Sequence, residues 1–316
     1  MSSAGMSADA TGLGDEEVLT PQMLAATRKA PSRRGRQRVR PWYMSVVLHG
    51  SLIVATIIAI FPVFWIAISS FKPREEIISS VTLNILPDDW TLSNYREVIT
   101  ANDYEFLTWF GNSIVIAILT TIVGVFLSAT AGYALSRYRF PGYRPALNSF
   151  LVTQMFPAAI IIVPIYQIIT NLGLINQQLG LLLAYSTVAV PFCTWMLKGY
   201  FDTIPIALEE AARIDGLTPF GTFWRIVLPL STPGLAVTCF YTFITAWNEV
   251  AFANIILLSP EKYTLPVGLR TYVFQFDQAW EKLTAGAMLV TIPAVLVFLF
   301  AQRYLVSGLT RGGVKG

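Results

Sequence analysis

The sequence predicts an all-α integral membrane protein with six transmembrane helices. Of its 316 residues, 54% are hydrophobic and 13% are charged, whereas a soluble domain contains about 25% charged residues. Six apolar runs are long enough to cross a hydrocarbon core, which requires about 20 residues. They lie at 44–70, 110–136, 147–170, 180–199, 232–258 and 284–305.

The distribution of Lys and Arg predicts the orientation of these runs. Four segments outside them, at 1–41, 136–144, 198–231 and 303–316, contain 16 of the 22 basic residues. The remaining connecting segments contain six. Because basic residues concentrate in cytoplasmic loops, we expect the first four segments, and with them both termini, to lie in the cytoplasm.

Residues 1–41 are predicted to form a disordered, basic cytoplasmic tail. They are rich in Ser, Ala, Gly and Arg and have no apolar periodicity from which a core could form. The basic run at 28–40 has two interpretations. It can bind anionic lipid, or it can act only as a signal that keeps this end of the chain in the cytoplasm.

Residues typical of catalysis are sparse. The single His49 has no second His, Cys or carboxylate at ligand spacing, which indicates packing at the membrane interface rather than metal binding. A spacing similar to a phosphate-binding loop begins at Gly216, but Thr222 and Phe223 occupy the positions where that motif needs Lys and then Ser or Thr. We therefore expect no catalytic residues, no metal site and no ATP hydrolysis on this chain.

Glu249 is the one charged residue well inside an apolar run. A carboxylate at that depth is unfavourable unless it is paired, protonated or in contact with water, so Glu249 is a candidate for a translocation path. Together with Trp247 and Asn248 it offers a stacking face and hydrogen bonds that suit a sugar. The alternative is an acid at the outer mouth of the helix, bonded to Asn248 or to a partner subunit.

Residues 209–229 form a polar interruption in the apolar second half of the chain. Gly216 is typical of the left-handed residue that ends a helix. Thr218 is a suitable N-cap, Pro219 fits the first position of a following helix, and Pro229 is expected to end it. The segment is therefore predicted to be a helix–turn–helix on the cytoplasmic face.

The first of these two helices has the features of a docking element. Glu209 and Arg213 are four residues apart and are expected to pair on the exposed side, while Glu210 points outward. The small side chains of Ala211 and Ala212 keep the helix narrow enough to enter a groove. The alternative is an ordinary amphipathic helix at the membrane interface.

This segment resembles the EAA loop of the permease subunits of bacterial ABC importers. The family pattern is EAA, three residues, Gly, nine residues and I-x-L-P, and it is complete here. The matching residues are Glu210, Ala211, Ala212, Gly216, Ile226, Leu228 and Pro229. The resemblance implies a type I ABC importer permease fold, in which this coupling helix sits in a cleft of the ATP-binding subunit.

Two further stretches, 262–272 and 302–316, resemble the last external loop and the C-terminus of the MalG-type permease of maltose/maltodextrin transporters. This resemblance implies carbohydrate uptake, of maltose or maltodextrin or of a related α-glucoside such as trehalose. Two regions depart from the family pattern. The tail 1–41 is longer, and 273–280 lies where such loops vary, so the sugar itself remains open.

The resemblance also implies a set of partners in the bacterial cytoplasmic membrane. These are a second, homologous permease subunit, two ATP-binding subunits that hold ATP and Mg, and an extracytoplasmic sugar-binding lipoprotein. The substrate is an oligosaccharide, and no nucleic acid is involved. This chain itself carries no cofactor.

Three groups of residues take roles from this resemblance or from the residue pattern. They are Tyr272, Phe274 and Phe276 as contacts to the binding protein, Gly312, Gly313 and Lys315 as contacts to the ATPase, and Trp247, Asn248 and Glu249 on the translocation path. By composition alone, the last residues would be only a frayed, basic end.

A secondary transporter coupled to H⁺ or Na⁺ through Glu249 is the alternative function. Several intramembrane acids and inverted repeats would favour it. The sequence has one such acid and no obvious repeat.

Overall fold

The computed structural model of the protein describes residues 42–78, 84–101, 105–273 and 278–312. The side chains of Ala158 and of residues 305–312 are not among the features described. The predicted basic tail, 1–41, lies outside the described residues. Within the described ranges the secondary structure is helical, apart from a single isolated antiparallel bridge.

The described residues contain fourteen α-helical segments, one π-helical turn and two 3₁₀ turns. The α-helices are α1 (Trp42–Ser69), α2 (Arg74–Ile78), α3 (Ser93–Thr100), α4 (Glu105–Arg137), α5 (Tyr143–Thr153), α6 (Ala158–Asn171), α7 (Gln178–Phe201), α8 (Ile206–Ile214), α9 (Pro219–Thr222), α10 (Leu228–Leu230), α11 (Thr232–Trp247), α12 (Ala251–Ile256), α13 (Leu265–Leu269) and α14 (Trp280–Gly312). The π-helical turn is Phe223–Val227, and the 3₁₀ turns are Pro260–Lys262 and Arg270–Tyr272.

Four described helices are long and apolar enough to cross a membrane: α1, α4, α7 and α14. A fifth candidate is a broken span in which Pro219–Leu230 and Thr232–Trp247 meet at a bend of 80°. These helices coincide with the predicted apolar runs, so the chain is a multi-pass, all-α membrane protein. The predicted runs at 147–170 and 232–258, however, are not continuous helices.

The apolar run at 147–170 contains two helices. α5 ends at Thr153 and α6 begins at Ala158, with an interruption at 154–157. Pro157 has no backbone N–H and disfavours helical geometry in the residue before it, which explains the break. The predicted helix over 232–258 is likewise interrupted, at 248–250, between α11 and α12.

Residues 42–58 form the first part of α1 and belong to a separate unit from the rest of the described chain. Their large apolar side chains, such as Ile53 and Ile58, are exposed, as expected for a helix whose surroundings are lipid or another subunit. The His49 ring nitrogen Nδ1 donates to the carbonyl oxygen of Ser45 at 2.6 Å. This bond lies within the helix, and packing of the exposed ring at the membrane interface stays a prediction.

Within residues 59–316, α4 and α7 pack closely and run parallel. Gln178 Nε2 donates to Asn112 Oδ1 at 2.8 Å near the start of both helices, and Ser136 Oγ donates to Asp202 Oδ1 at 2.7 Å near their ends. A Cβ on Gly132 would lie 3.1 Å from backbone atoms of α7. The absence of a side chain at Gly132 therefore favours this close approach of the two backbones.

Two clusters of buried residues lie between the helices. The larger one joins α4, α7, α11 and α12 toward the end of the bundle where α4 begins. The smaller one lies where α4 ends, beside the helix–turn–helix, and consists of Ala129, Tyr133, Leu197, Phe201, Ile204, Phe223 and Val227. The smaller cluster positions the candidate site.

Candidate functional site

The segment 209–229, called the EAA segment below, contains the predicted helix–turn–helix. α8 ends at Ile214, and Gly216 has φ = +89°, a left-handed conformation that favours glycine. Thr218 is the N-cap of the second helix, because its Oγ1 accepts the backbone N–H of Gly221 at 3.1 Å. Pro219 occupies the first turn of that helix. The local signals in the sequence therefore predicted this turn correctly.

The end of the second helix differs from the prediction. Pro229 does not terminate it; the chain passes through the π-helical turn Phe223–Val227, continues to Leu230 and only then bends by 80° into α11. Ser231 lies at the bend and is buried, and its Oγ donates to the Val227 carbonyl oxygen at 2.7 Å. A proline is acceptable here because it lies in the first turn of α10, where its missing N–H costs little.

Glu209 is buried rather than exposed, so the predicted surface pair with Arg213 is wrong. Its side chain is 2% exposed, and its Oε1 lies 2.5 Å from Nε of Arg137 at the end of α4. The hydroxyl of Tyr133 donates to Oε2 at 2.8 Å. Glu209 and Ala212 are the buried residues of α8 and share one side of the helix, so this side faces the bundle.

Arg137 continues this contact into a larger group of polar residues. Its Nη2 donates to the Ile204 carbonyl oxygen at 3.0 Å, and its Nη1 donates to Ser136 Oγ at 2.9 Å. Ser136 in turn donates to Asp202, which also pairs with Lys198 at 2.5 Å. We call Tyr133, Ser136, Arg137, Asp202 and Glu209 the junction cluster. It connects the ends of α4 and α7 to the EAA segment.

The other side of the EAA segment is exposed. Glu210, Ala211 and Gly216 lie on it, while Ala212 is buried, Ile226 and Leu228 are half-buried, and Pro229 is exposed. Large apolar side chains surround the exposed residues. They are Ile206, Leu208, Ile214, Phe220 and Trp224, of which Ile214 is 87% exposed. Such an apolar surface on a loop segment is typical of a protein interface.

Trp247, predicted to offer a stacking face for a sugar, is 1% exposed. Its ring stacks on Phe243 with 5.6 Å between centroids and meets the edge of Phe110 at 6.0 Å. Its Nε1 donates to the Val290 carbonyl oxygen at 3.3 Å. Trp247 therefore has no open face in this conformation, and the stacking interpretation does not fit it. The neighbouring Asn248 is exposed and bonds back to Ile244.

Glu249 lies at the break between α11 and α12. Its two carboxylate oxygens accept the backbone N–H groups of Phe252 at 2.9 Å and Ala253 at 3.1 Å. The carboxylate thus caps the N-terminus of α12, where unpaired N–H groups and the helix dipole stabilise a negative charge. Glu249 also borders a cavity of about 210 Å³, lined in addition by Thr120, Tyr185 and Thr245.

The last loop before α14 is only partly described. Tyr272 is half-buried, with its ring centroid 6.2 Å from that of Trp109. Burial, and secondly the negative charge of Glu105, raise the pKa of Tyr272 above its ordinary value. The described residues include only one of the five other predicted contacts. Gly312 ends α14, whereas Phe274, Phe276, Gly313 and Lys315 lie outside the described residues.

Sequence reasoning missed Asn176, which anchors the stretch 256–262. Asn176 has φ = +59°, and its Oδ1 accepts the backbone N–H groups of Leu258 at 3.0 Å and Ser259 at 3.1 Å. Its carbonyl oxygen accepts Lys262 Nζ at 2.6 Å. We call these contacts the loop clamp. Asn fits this position because it tolerates positive φ better than most residues. An Asn in a short loop is nevertheless a weak signal, because it does not indicate which distant groups the side chain will bind.

Comparisons with known proteins agree with this architecture. The family described as binding-protein-dependent transport system inner membrane component matches residues 124–311. The inner membrane ABC transporter permease protein YcjP of Escherichia coli K12 is 39% identical over 82% of this chain and 92% of its own length. The galactooligosaccharides transport system permease protein GanQ of Bacillus subtilis is 34% identical, over 88% and 98%.

A further relative and a solved structure complete the comparison. The maltose/maltodextrin transport system permease protein MalG of Vibrio vulnificus YJ016 is 36% identical over 88% of this chain and 97% of its own. A chain of a bacterial ABC transporter that imports the acidic polysaccharide alginate superposes with a TM-score of 0.73 at 24% identity, over 83% and 96% of the two chains. The chain belongs to the family of binding-protein-dependent transport system inner membrane components, and it is an ABC importer permease subunit.

Proposed function

We propose that this chain is the permease subunit of an ATP-driven importer that receives an oligosaccharide from an extracytoplasmic binding protein. The EAA segment is the observation that carries the proposal. It is a helix–turn–helix anchored by its inner side to the ends of α4 and α7, with an exposed apolar surface around Glu210. A segment held in this way can receive a partner on one side and move membrane helices on the other.

In this proposal the exposed side of the EAA segment docks into a cleft of an ATP-binding subunit on the cytoplasmic side, where both termini also lie. The small Ala211 allows close approach, and Gly216 provides the positive φ that the turn requires. Glu210 supplies a charge at the centre of this surface. In this proposal, ATP hydrolysis, with its Mg, belongs to the partner subunits.

For the substrate we propose an α-glucoside: maltose, maltodextrin or a related sugar such as trehalose. The identity to a maltose/maltodextrin permease supports this choice. The similar identity to a galactooligosaccharide permease makes β-galactosides the competing class. The remaining roles stay proposals of the same kind. They are Asn248 and Glu249 near the path, Tyr272, Phe274 and Phe276 at the binding protein, and Gly312, Gly313 and Lys315 at the ATPase.

The test is sugar uptake by the purified complex in proteoliposomes. The chain is coexpressed with its second permease, its ATPase and its binding protein, and labelled maltose, maltotriose, trehalose and a galactobiose are compared. We expect uptake that requires both ATP and the binding protein, with α-glucosides preferred. Preferred uptake of the galactobiose would overturn the choice of sugar only.

Two controls separate the proposal from ion-coupled transport. Gly216→Asp places a charged side chain on the exposed docking surface at φ = +89° and should abolish ATP-dependent uptake while leaving membrane insertion intact. Uptake driven by an imposed pH gradient without ATP would overturn the importer assignment.

A further inference from the structure

The buried ion pair between Arg137 and Glu209 connects two parts of the chain that are far apart in sequence. Arg137 ends α4, and Glu209 lies on α8, 72 residues later. Their side chains are 6% and 2% exposed. The covalent chain attaches the EAA segment to α7 at one end and to α11 at the other. The ion pair therefore connects the segment to a third helix, α4, which is not adjacent to it in the sequence.

The geometry of the pair fixes position and orientation together. The guanidinium of Arg137 has one donor on Glu209, one on the Ile204 carbonyl oxygen and one on Ser136. The second oxygen of Glu209 accepts from Tyr133. Because a planar guanidinium donates in fixed directions, these bonds resist both sliding and rotation of α8 against α4. An apolar contact of equal size has no donors with fixed directions.

Stability alone does not account for a buried pair. Apolar residues of similar volume can often replace such a pair without loss, because removing both charges from water is itself unfavourable. What the charged pair adds is one defined arrangement of the two helices. Gly132 holds α4 tightly against α7, so a segment locked to the end of α4 is locked to both helices.

The EAA segment is attached to α11 by the backbone itself, through an irregular stretch of helix. There the chain passes through the π-helical turn Phe223–Val227 and an 80° bend. A cavity of about 220 Å³ lies beside Phe220, between Pro219, Thr130 and Tyr138. Here the segment meets α4 through apolar contacts, with the ring centroid of Phe223 4.7 Å from that of Tyr133.

We propose that Arg137 and Glu209 are positioning residues that transmit movement of the EAA segment to α4 and α7, which then move with α8 as one body. The proposal rests on the proposed function, since it assumes that an ATP-binding subunit moves the segment. Tyr133 supports the pair by holding the second carboxylate oxygen. Without the pair, α8 still docks but slides against α4, and ATP hydrolysis is no longer converted into transport.

The experiment compares four variants in the complete complex in proteoliposomes: Arg137→Lys, Arg137→Met, Glu209→Gln and the double variant Arg137→Met/Glu209→Gln. Copurification of the ATPase, Tm, ATP hydrolysis and sugar taken up per ATP are measured for each. We expect all four to retain the ATPase. We expect Arg137→Met to lower Tm and the double variant to recover it, because no buried carboxylate is then left unpaired. The amount of sugar taken up per ATP hydrolysed should stay about tenfold below the wild-type value in both Arg137→Met and the double variant.

The matched control is the ion pair between Lys282 and Glu97, which is partly exposed, at 28% and 53%, and lies at the other end of the bundle. The variant Lys282→Met/Glu97→Gln should leave sugar per ATP unchanged. Recovery of sugar per ATP together with Tm in the double variant of Arg137 and Glu209 would overturn the proposal, since the pair would then only stabilise the fold. Loss of the ATPase from these variants would also overturn it, in favour of a docking role.

The failure of the proposed function has a different signature. If the wild-type complex, with its ATPase and binding protein present, takes up no sugar with ATP, the importer assignment fails and this proposal fails with it. If wild-type uptake is normal and the variants match it in sugar per ATP, only the transmission role is overturned. Arg137→Lys sharpens this second case, because it keeps the charge and removes the forked geometry.

Discussion

The two ends of the helix bundle each hold a largely enclosed carboxylate, and they do so by different means. At the end where α4 finishes, Glu209 is neutralised by Arg137 and bonded by Tyr133. At the opposite end, Glu249 is held by two backbone N–H groups at the start of α12. The first carboxylate is held by side chains of a helix that is distant in sequence, and the second is held mainly by backbone groups of the helix that follows it.

This difference determines what each end can tolerate. A charge pair between distant helices leaves an uncompensated buried charge when either partner is removed. A backbone cap loses one or two hydrogen bonds, and water or the remaining dipole can replace part of them. We therefore expect the junction cluster to be sensitive to single substitutions, and we expect the end with the loop clamp to lose stability in smaller steps.

The largest expected effect belongs to Arg137→Ala. Removing the guanidinium leaves Glu209 buried without its cation, which destabilises a protein by about 3–5 kcal/mol. Thermal unfolding of the purified protein in detergent should show a large fall in Tm. Glu209→Gln, which keeps the shape and a hydrogen bond to Tyr133, should lose less when introduced alone. A Tm for Arg137→Ala close to wild type would show that the pair is solvated and would remove the contrast between the two ends.

The next effect is that of Asn176→Ala in the loop clamp. This substitution removes the acceptor of two backbone N–H groups, at Leu258 and Ser259, and places Ala at φ = +59°. Each lost bond contributes about 0.5–1.5 kcal/mol, so we expect a loss of about 2 kcal/mol. Asn176→Asp retains the acceptor and is the matched control. Faster amide hydrogen exchange at 256–262 in the Ala variant alone would confirm the clamp.

A smaller effect is expected for Glu249→Gln. Gln keeps one acceptor oxygen for the N-terminus of α12 but loses the charge that the helix dipole stabilises, a change of about 1 kcal/mol or less. ATP-dependent uptake should persist at more than half of the wild-type rate. Glu249→Ala, which removes the cap completely, should lower Tm further. Abolished uptake in Glu249→Gln with an unchanged Tm would instead place this carboxylate on the translocation path.

The sequence predicted local features better than distant contacts. The turn at Gly216 and the cap at Thr218 were predictable, because the conformations that these residues favour are decided by their immediate neighbours. The partner of Glu209 was not, because the i, i+4 rule identifies only candidates on the same helix, and Arg137 lies 72 residues away. The six apolar runs located the helices, but hydropathy does not register a break in the backbone such as the one before Pro157.

The prediction for Glu249 depended on hydropathy, which did not show that the helix breaks beside it. Its depth within an apolar run suggested a functional charge, because the run was interpreted as one helix through 258. Once the helix breaks at 248–250, the same carboxylate lies just before the N-cap Val250 and accepts the backbone N–H groups of the following helix. The sequence does contain a signal for this, an acidic residue just before a short apolar helix, but it is weak beside the hydropathy of the whole run.

The smallest effect tests whether burial, rather than charge pairing as such, makes the junction cluster sensitive. Lys198 and Asp202 also pair at this end of the bundle, at 2.5 Å, but their side chains are 19% and 41% exposed and lie four residues apart at the end of α7. Pairs of this kind contribute about 0.3–0.5 kcal/mol. Lys198→Met should therefore change Tm by a degree or two at most. High salt should reduce this small difference further, since exposed charges are screened and buried ones are screened much less. If Lys198→Met were as destabilising as Arg137→Ala, the sensitivity of this end would come from the number of charges gathered there, and burial of the Arg137 pair would not be its cause.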